Sequence, residues 1–141
     1  MKEKISSFWN YEKKDRPFNL LMAGVSYCDG TYRIERKPEN LYSFEYIYSG
    51  KGTLVIDGQR LEPKAGDVYF LKRGIPHCYW SDEKEPWTKI WICFNGLMAE
   101  AMFAAYLDKK VYLMQDCDIS AQMEALLCLS LIHISEPTRP Y

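Results

Sequence analysis

Histidine is scarce in this chain: two residues in 141. Five cysteines stand at positions 28, 78, 93, 117 and 128, an odd number with no CxxC pair among them. A structural zinc site wants ligands at closer spacing, so the cysteines do not spell one. No secretory signal opens the sequence. The thiols are expected to be reduced, in a cytoplasmic protein. No apolar run approaches the roughly 20 residues that cross a bilayer as a helix, and no membrane partner is expected. GxSxG, Walker A and GxGxxG are all missing, and with them the common signatures of hydrolase, nucleotide and dinucleotide chemistry. Net charge is only −1. That balance offers no overall attraction to nucleic acid or to an anionic surface.

What is abundant is aromatic: eleven Tyr, six Phe and four Trp. Such a composition suits a β-rich core with amphipathic rings at its edge, and equally an aromatic-lined pocket. The length is that of one domain, long enough to bury a core without covalent staples.

The chain opens with a mixed, charged lead-in over residues 1–16, in which Phe8, Trp9 and Tyr11 are expected to dock on the body. Strand patterns follow. FNLLMAGVSYC ends at Asp29-Gly30, a hairpin signal. In TYRIERK, Tyr32, Ile34 and Arg36 share one face. YSFEYIYS is closed by glycines, and TLVID runs into Asp57-Gly58, the strongest hairpin signal present. QRLEPKAGD gives a short strand and a turn, VYFLK another strand, and His77 to Trp80 a further one. WTKIWICF is the last, stopped at Asn95-Gly96. Eight short, evenly spaced strands point to an all-β unit, closed or double-sheeted, over residues 1–96.

The period then changes. LMAEAMFAAYL has apolar residues at 97, 98, 101, 102, 105 and 106, which predicts a helix from Leu97 to about Asp108. VYLM reads as a brief strand. Asp118 or Ser120 can cap a second helix, ISAQMEALLCL. The segment 97–128 either covers the barrel or pairs with a second copy. From 129 to 141 the text LSLIHISEPTRPY loses the helical period. LSLIHISEPTR reads as the in-frame translation of a transposase adapter used in DNA library preparation. This segment is expected to be a non-native tail, leaving His133 without functional weight and the natural sequence beyond Cys128 unknown.

Three pieces in order, FEYIYSGKGTLVIDGQ, LEPKAGDVYFLKRGIPHCYW and PWTKIWICFNG, together with YRIER upstream, resemble the cupin-type sensor domain of the AraC family of transcription regulators. The resemblance covers roughly residues 18–128. It implies a cupin-like double-stranded β-helix, or jelly-roll barrel, followed by two α-helices. The barrel would bind a small-molecule effector, with carbohydrates among the candidates, and the helices would serve a homodimer. DNA would be bound only through a helix-turn-helix part that this chain lacks.

Metal-binding cupins carry HxH and Glu in a first motif and His in a second. Here the first-motif histidine positions fall on Glu39 and Leu41, and Lys72 replaces the second motif's proline. Glu45 and His77 remain, too few for a site that wants three or four protein ligands. No metal and no other cofactor is expected, and no catalytic residue. The rival is a standalone metal-dependent cupin enzyme, a sugar isomerase or dioxygenase. His77 could hold a metal, touch a ligand, or fill the barrel mouth.

For the ligand, parity turns Arg36 inward beside Ile34, where a guanidinium needs an anionic or polar partner, either a salt bridge across the rim or an effector. His77 and Tyr79 share a face. On the last strand Trp87, Lys89, Trp91 and Cys93 share one face and Ile90, Ile92 and Phe94 the other, and parity alone does not choose between them. By motif register the family's sugar-binding pattern falls on Arg36, Tyr79 and Trp91, with a threonine contact near Ser26 and a histidine contact on Lys89. An indole face suits sugar C–H bonds, and Arg and Tyr suit hydroxyls.

Overall fold

A computed structural model describes residues 1–107 and 110–135, with side chains as far as 129. In chain order the elements are β1 (Lys2–Ser7), β2 (Asn19–Tyr27), β3 (Arg33–Arg36), β4 (Tyr42–Ser49), β5 (Gly52–Ile56) and β6 (Gln59–Leu61). They continue with β7 (Val68–Leu71), β8 (His77–Ser81), β9 (Thr88–Asn95), α1 (Leu97–Tyr106), β10 (Leu113–Met114) and α2 (Ser120–Ser135). Two antiparallel sheets face each other: a larger one in the order β1-β2-β9-β4-β7-β10 and a smaller one in the order β3-β8-β5-β6. This is the all-β, two-sheet barrel followed by two helices that the strand spacing predicts.

The Asp57-Gly58 hairpin forms as read. Ile56 pairs with Gln59, and both turn residues have positive φ, 49° and 72°, the backbone of a type I′ turn. Asp29-Gly30 is a correction. β2 ends before it, and β3 beyond it pairs with β8 in the opposite sheet. The Tyr32 amide donates to the Asp29 carbonyl oxygen at 3.2 Å and the Asp29 carboxylate accepts from the Thr31 amide and hydroxyl at 2.9 and 2.6 Å, so the side chain reinforces a backbone turn that carries the chain between sheets.

The lead-in is a second correction. Lys2–Ser7 is an edge strand in register with β2, and in the short 3-10 turn after it Tyr11 is 64% exposed and undocked, while Trp9, 43% exposed, borders the barrel's cavity. Its lysines at positions 2 and 4 suit an edge that must not recruit another strand. β10, though within 97–128, joins the barrel sheet through Tyr69 and Val68.

The larger sheet is buried on both faces. Its inner face meets the smaller sheet around Tyr32, Ile47, Leu54, Ile56, Tyr69, Tyr79 and Trp87. Its outer face carries Val25, Tyr46, Val68, Phe70 and Ile90 against Met123, Phe103 and Leu127 of the helices. α1 seats itself through Ala99, Phe103 and Leu107, and Phe103 stacks on Tyr42 at 4.8 Å. The positions that carried the helical period, such as Leu97, Met98, Met102 and Tyr106, are the exposed ones. α2 extends to Ser135, into the segment expected as a foreign tail; the rest of that segment, 136–141, lies outside the described residues.

Candidate functional site

Register settles the parity left open on β9. Ile5, Gly24, Trp91, Glu45 and Tyr69 form one cross-strand row on the inner face, with Glu3, Ser26 and Lys89 in the next. Ile90, Ile92 and Phe94 therefore pack outward beneath the helices. On the smaller sheet Arg36 pairs with His77 and Ile34 with Tyr79. These inner faces enclose a cavity of about 650 Å³. That is within the ~300–1,000 Å³ usual for small-molecule sites. All six residues named from the sequence, Arg36, Tyr79, Trp91, His77, Ser26 and Lys89, lie on its wall.

At the cavity floor Lys89 is 1% exposed, and its Nζ donates to Glu45 Oε2 at 2.6 Å and to the Tyr69 hydroxyl at 2.9 Å. Tyr69 in turn donates to the same Glu45 oxygen at 2.5 Å, and Ser43 donates to the other carboxylate oxygen at 3.1 Å. The ammonium also lies 4.2 Å from the Tyr79 ring centre and 5.2 Å from those of Tyr32 and Trp87. A buried charge survives only with this kind of pairing. The ring faces add cation–π attraction. Burial, reinforced by the Glu45 charge, holds the Tyr69 and Tyr79 hydroxyls well above their ordinary pKa, so both remain neutral.

Trp91 lies against β2, and Gly24 makes that possible. A Cβ at position 24 would come within 2.8 Å of the Trp91 ring and 2.6 Å of the Lys4 carbonyl oxygen. The indole N–H donates to Ser26 Oγ at 2.9 Å, and Ser26 donates to Glu3 at 2.7 Å. Ser26 is thus committed to holding the ring. His77 stacks on Tyr79 at 5.8 Å, with Nδ1 3.2 Å from the Ile75 carbonyl oxygen. Burial lowers its pKa, opposed by that carbonyl. Arg36 is exposed at the mouth and makes no hydrogen bond or ion pair among the described residues. Cys93, also on the wall, is pushed up to about 12 by burial and stays a thiol.

The donor set does not fit the metal of catalytic cupins. Leu41 is apolar, and the Glu45 carboxylate is already neutralised by an ammonium that would repel a cation beside it. The lead-in adds Glu3, Trp9 and Glu12 to the wall, and the β9 end adds Asn95. Sequence patterning missed these residues. The short, largely exposed edge strand has no apolar alternation by which Glu3 could be found. A smaller cavity of about 200 Å³ adjoins, sharing Glu12, Asn40 and Asn95.

The fold and its enclosed pocket define a ligand-binding β-barrel of the cupin type. The Escherichia coli protein YhaK aligns with a TM-score of 0.62 at 11% identity, over 84% of this chain and 52% of that one. The Schizosaccharomyces pombe Cnp3 cupin domain aligns at 0.51 and 17% identity, over 79% and 77%. Residues 19–138 match the AraC-like ligand binding domain, and the chain belongs to that family.

Among curated relatives, the raffinose operon transcriptional regulatory protein RafR of Pediococcus pentosaceus is 35% identical over 101 residues, 69% of this chain and 36% of its own length. The Msm operon regulatory protein of Streptococcus mutans is 36% identical over 77 residues, 55% of this chain and 28% of its own. The lactose operon transcription activator of Staphylococcus xylosus is 29% identical over 84 residues, 58% of this chain and 30% of its own. The chain spans about a third of the length of these regulators. The match is to a ligand-binding family, and the relatives carry regulatory rather than enzymatic names. Among the described residues no helix is long and apolar enough to cross a membrane.

Proposed function

We propose that this domain senses a carbohydrate effector for a cytoplasmic bacterial transcription regulator of the AraC type, with DNA contacted by a part outside residues 1–128. The observation that carries the reading is the wall of the main cavity. It presents an indole pinned edge-on by Ser26, the Arg36 guanidinium with no protein partner among the described residues, and neutral Tyr79 and His77 within one enclosure. An indole face and planar donors are what a polyhydroxyl ring needs. The names of the relatives, regulators of raffinose and lactose operons among them, point the same way.

The exposed apolar face of α1 is the proposed homodimer surface. Effector binding changes regulation only to the extent that it favours one of two states of the domain or dimer. Calorimetry against a panel of sugars and sugar acids tests the site. Binding is expected to collapse in Arg36→Ala and Trp91→Ala; unchanged affinity in both variants removes the site.

A further inference from the structure

The main cavity is larger than one sugar ring needs, and its outer end is not closed. There it meets the second cavity, and Glu12, Asn40 and Asn95 belong to both walls. Trp9 stands at the same end, on the main cavity's wall, with an indole 43% exposed. A half-exposed indole on a cavity wall is placed to be covered by a bound molecule, which would remove its apolar face from water. The chain that follows this turn is also held in place. Asn19 exchanges hydrogen bonds with the Lys13 backbone at 3.1 and 3.0 Å and donates to Asn95 at 3.1 Å, while Asn95 donates to Glu12 at 2.9 Å. The 3-10 turn that carries Trp9 is thereby clamped to the end of β9.

From this we propose, building on the reading that the cavity takes a sugar, that the effector is an oligosaccharide of two or three rings. The inner ring lies on Trp91. The next lies on Trp9, with Asn40 and the free oxygen of the Glu12 carboxylate placed for its hydroxyls. The second cavity then receives the distal end, beside Arg73 and the first turn of α1. Trp91 supplies general sugar affinity, and Trp9 reads chain length. A preformed platform adds affinity without an ordering penalty, so the gain appears only for ligands long enough to reach it.

Calorimetry with galactose, lactose and raffinose separates the two layers of the argument. In the wild-type domain at least one of the longer sugars is expected to bind about tenfold or more tightly than galactose. Trp9→Ala and Asn40→Ala should weaken binding of that sugar several times more than they weaken binding of galactose. Trp91→Ala should weaken all of them, and Trp9→Phe should retain part of the length preference. Thermal melting by circular dichroism confirms that each variant is folded. Equal affinity for every length, or a Trp9→Ala loss as large for galactose as for raffinose, overturns the proposal and leaves the sugar site standing. Failure of every sugar to bind overturns the underlying reading and this one together.

Discussion

Lys89 Nζ and Glu45 Oε2 lie 2.6 Å apart on neighbouring strands of one sheet, facing into the barrel, and both side chains are almost fully withdrawn from water. Removing either partner alone strands the other charge in a dry interior. Lys89→Met is therefore expected to destabilise the domain by about 3–5 kcal/mol, whereas the double variant Glu45→Gln/Lys89→Met recovers most of that loss. Urea midpoints for the two singles and the double form the cycle. A Lys89→Met single variant as stable as the wild type would mean that the pair is not desolvated as described.

Gly24 governs where the Trp91 indole can lie. Its φ needs no special allowance; the constraint is space, since a methyl group would press on both the Lys4 carbonyl oxygen and the ring. Gly24→Ala must displace β1 or tilt the indole. Overpacking of this kind costs about 1–3 kcal/mol. The expected signature is a larger loss in effector affinity than in stability, seen by calorimetry and urea titration on the same preparation. Intact affinity would show that the indole does not contact ligand.

The strand succession from β2 to β9 was legible because each strand is bounded by Gly, Asn or Asp turns. The Asp57-Gly58 turn was legible to the residue, since the backbone there needs two positive φ values. Asp29-Gly30 misled because the same dipeptide can form a backbone turn reinforced by its own carboxylate, and local sequence does not say which sheet the next strand joins. β1 escaped notice for a physical reason. An edge strand buries little, so KEKISS has no apolar alternation to read, although Glu3 and Ile5 reach the cavity. On β9 both parities are bulky because both faces are buried, one by the cavity and one by the helices. Of the six proposed ligand residues, Arg36, Tyr79, Trp91, Ser26 and Lys89 came from the family's motif register, His77 from the histidine of the second cupin motif, and strand parity by itself pointed only Arg36 inward. What register could not show is how Ser26 and Lys89 are occupied: one orients Trp91, the other neutralises Glu45.

His77 gives the domain a pH dependence of known sign. Burial lowers its pKa below the ordinary 6.5, so the folded state favours the neutral ring. Between the folded value and 6.5 the unfolded chain holds more protons, and stability falls as pH falls through that window. The stabilisation is fully present above 6.5 and is lost on acidification. His77→Gln removes this titration. Plotted against pH from neutral to mildly acidic, the stability difference between wild type and variant should shift in favour of the variant as pH drops. A difference that stays flat with pH, or moves the other way, contradicts a buried neutral imidazole.

The exposed face of α1 yields the last expectation. Leu97, Met98, Met102 and Tyr106 are 77%, 45%, 52% and 82% exposed, while the helix is already seated on the barrel through Ala99, Phe103 and Leu107. Covering the core therefore does not account for these apolar side chains, and a second copy of the same helix can bury them. The wild-type domain is expected to sediment as a dimer in analytical ultracentrifugation. Met98→Glu with Met102→Glu places like charges in the proposed interface but leaves the seating residues untouched. That variant should sediment as a monomer with its intrinsic stability changed by no more than about 0.5 kcal/mol per site, the range for surface positions. If the wild type is monomeric at high concentration, or the double variant remains dimeric, the interface lies elsewhere and the exposed face of α1 needs another explanation.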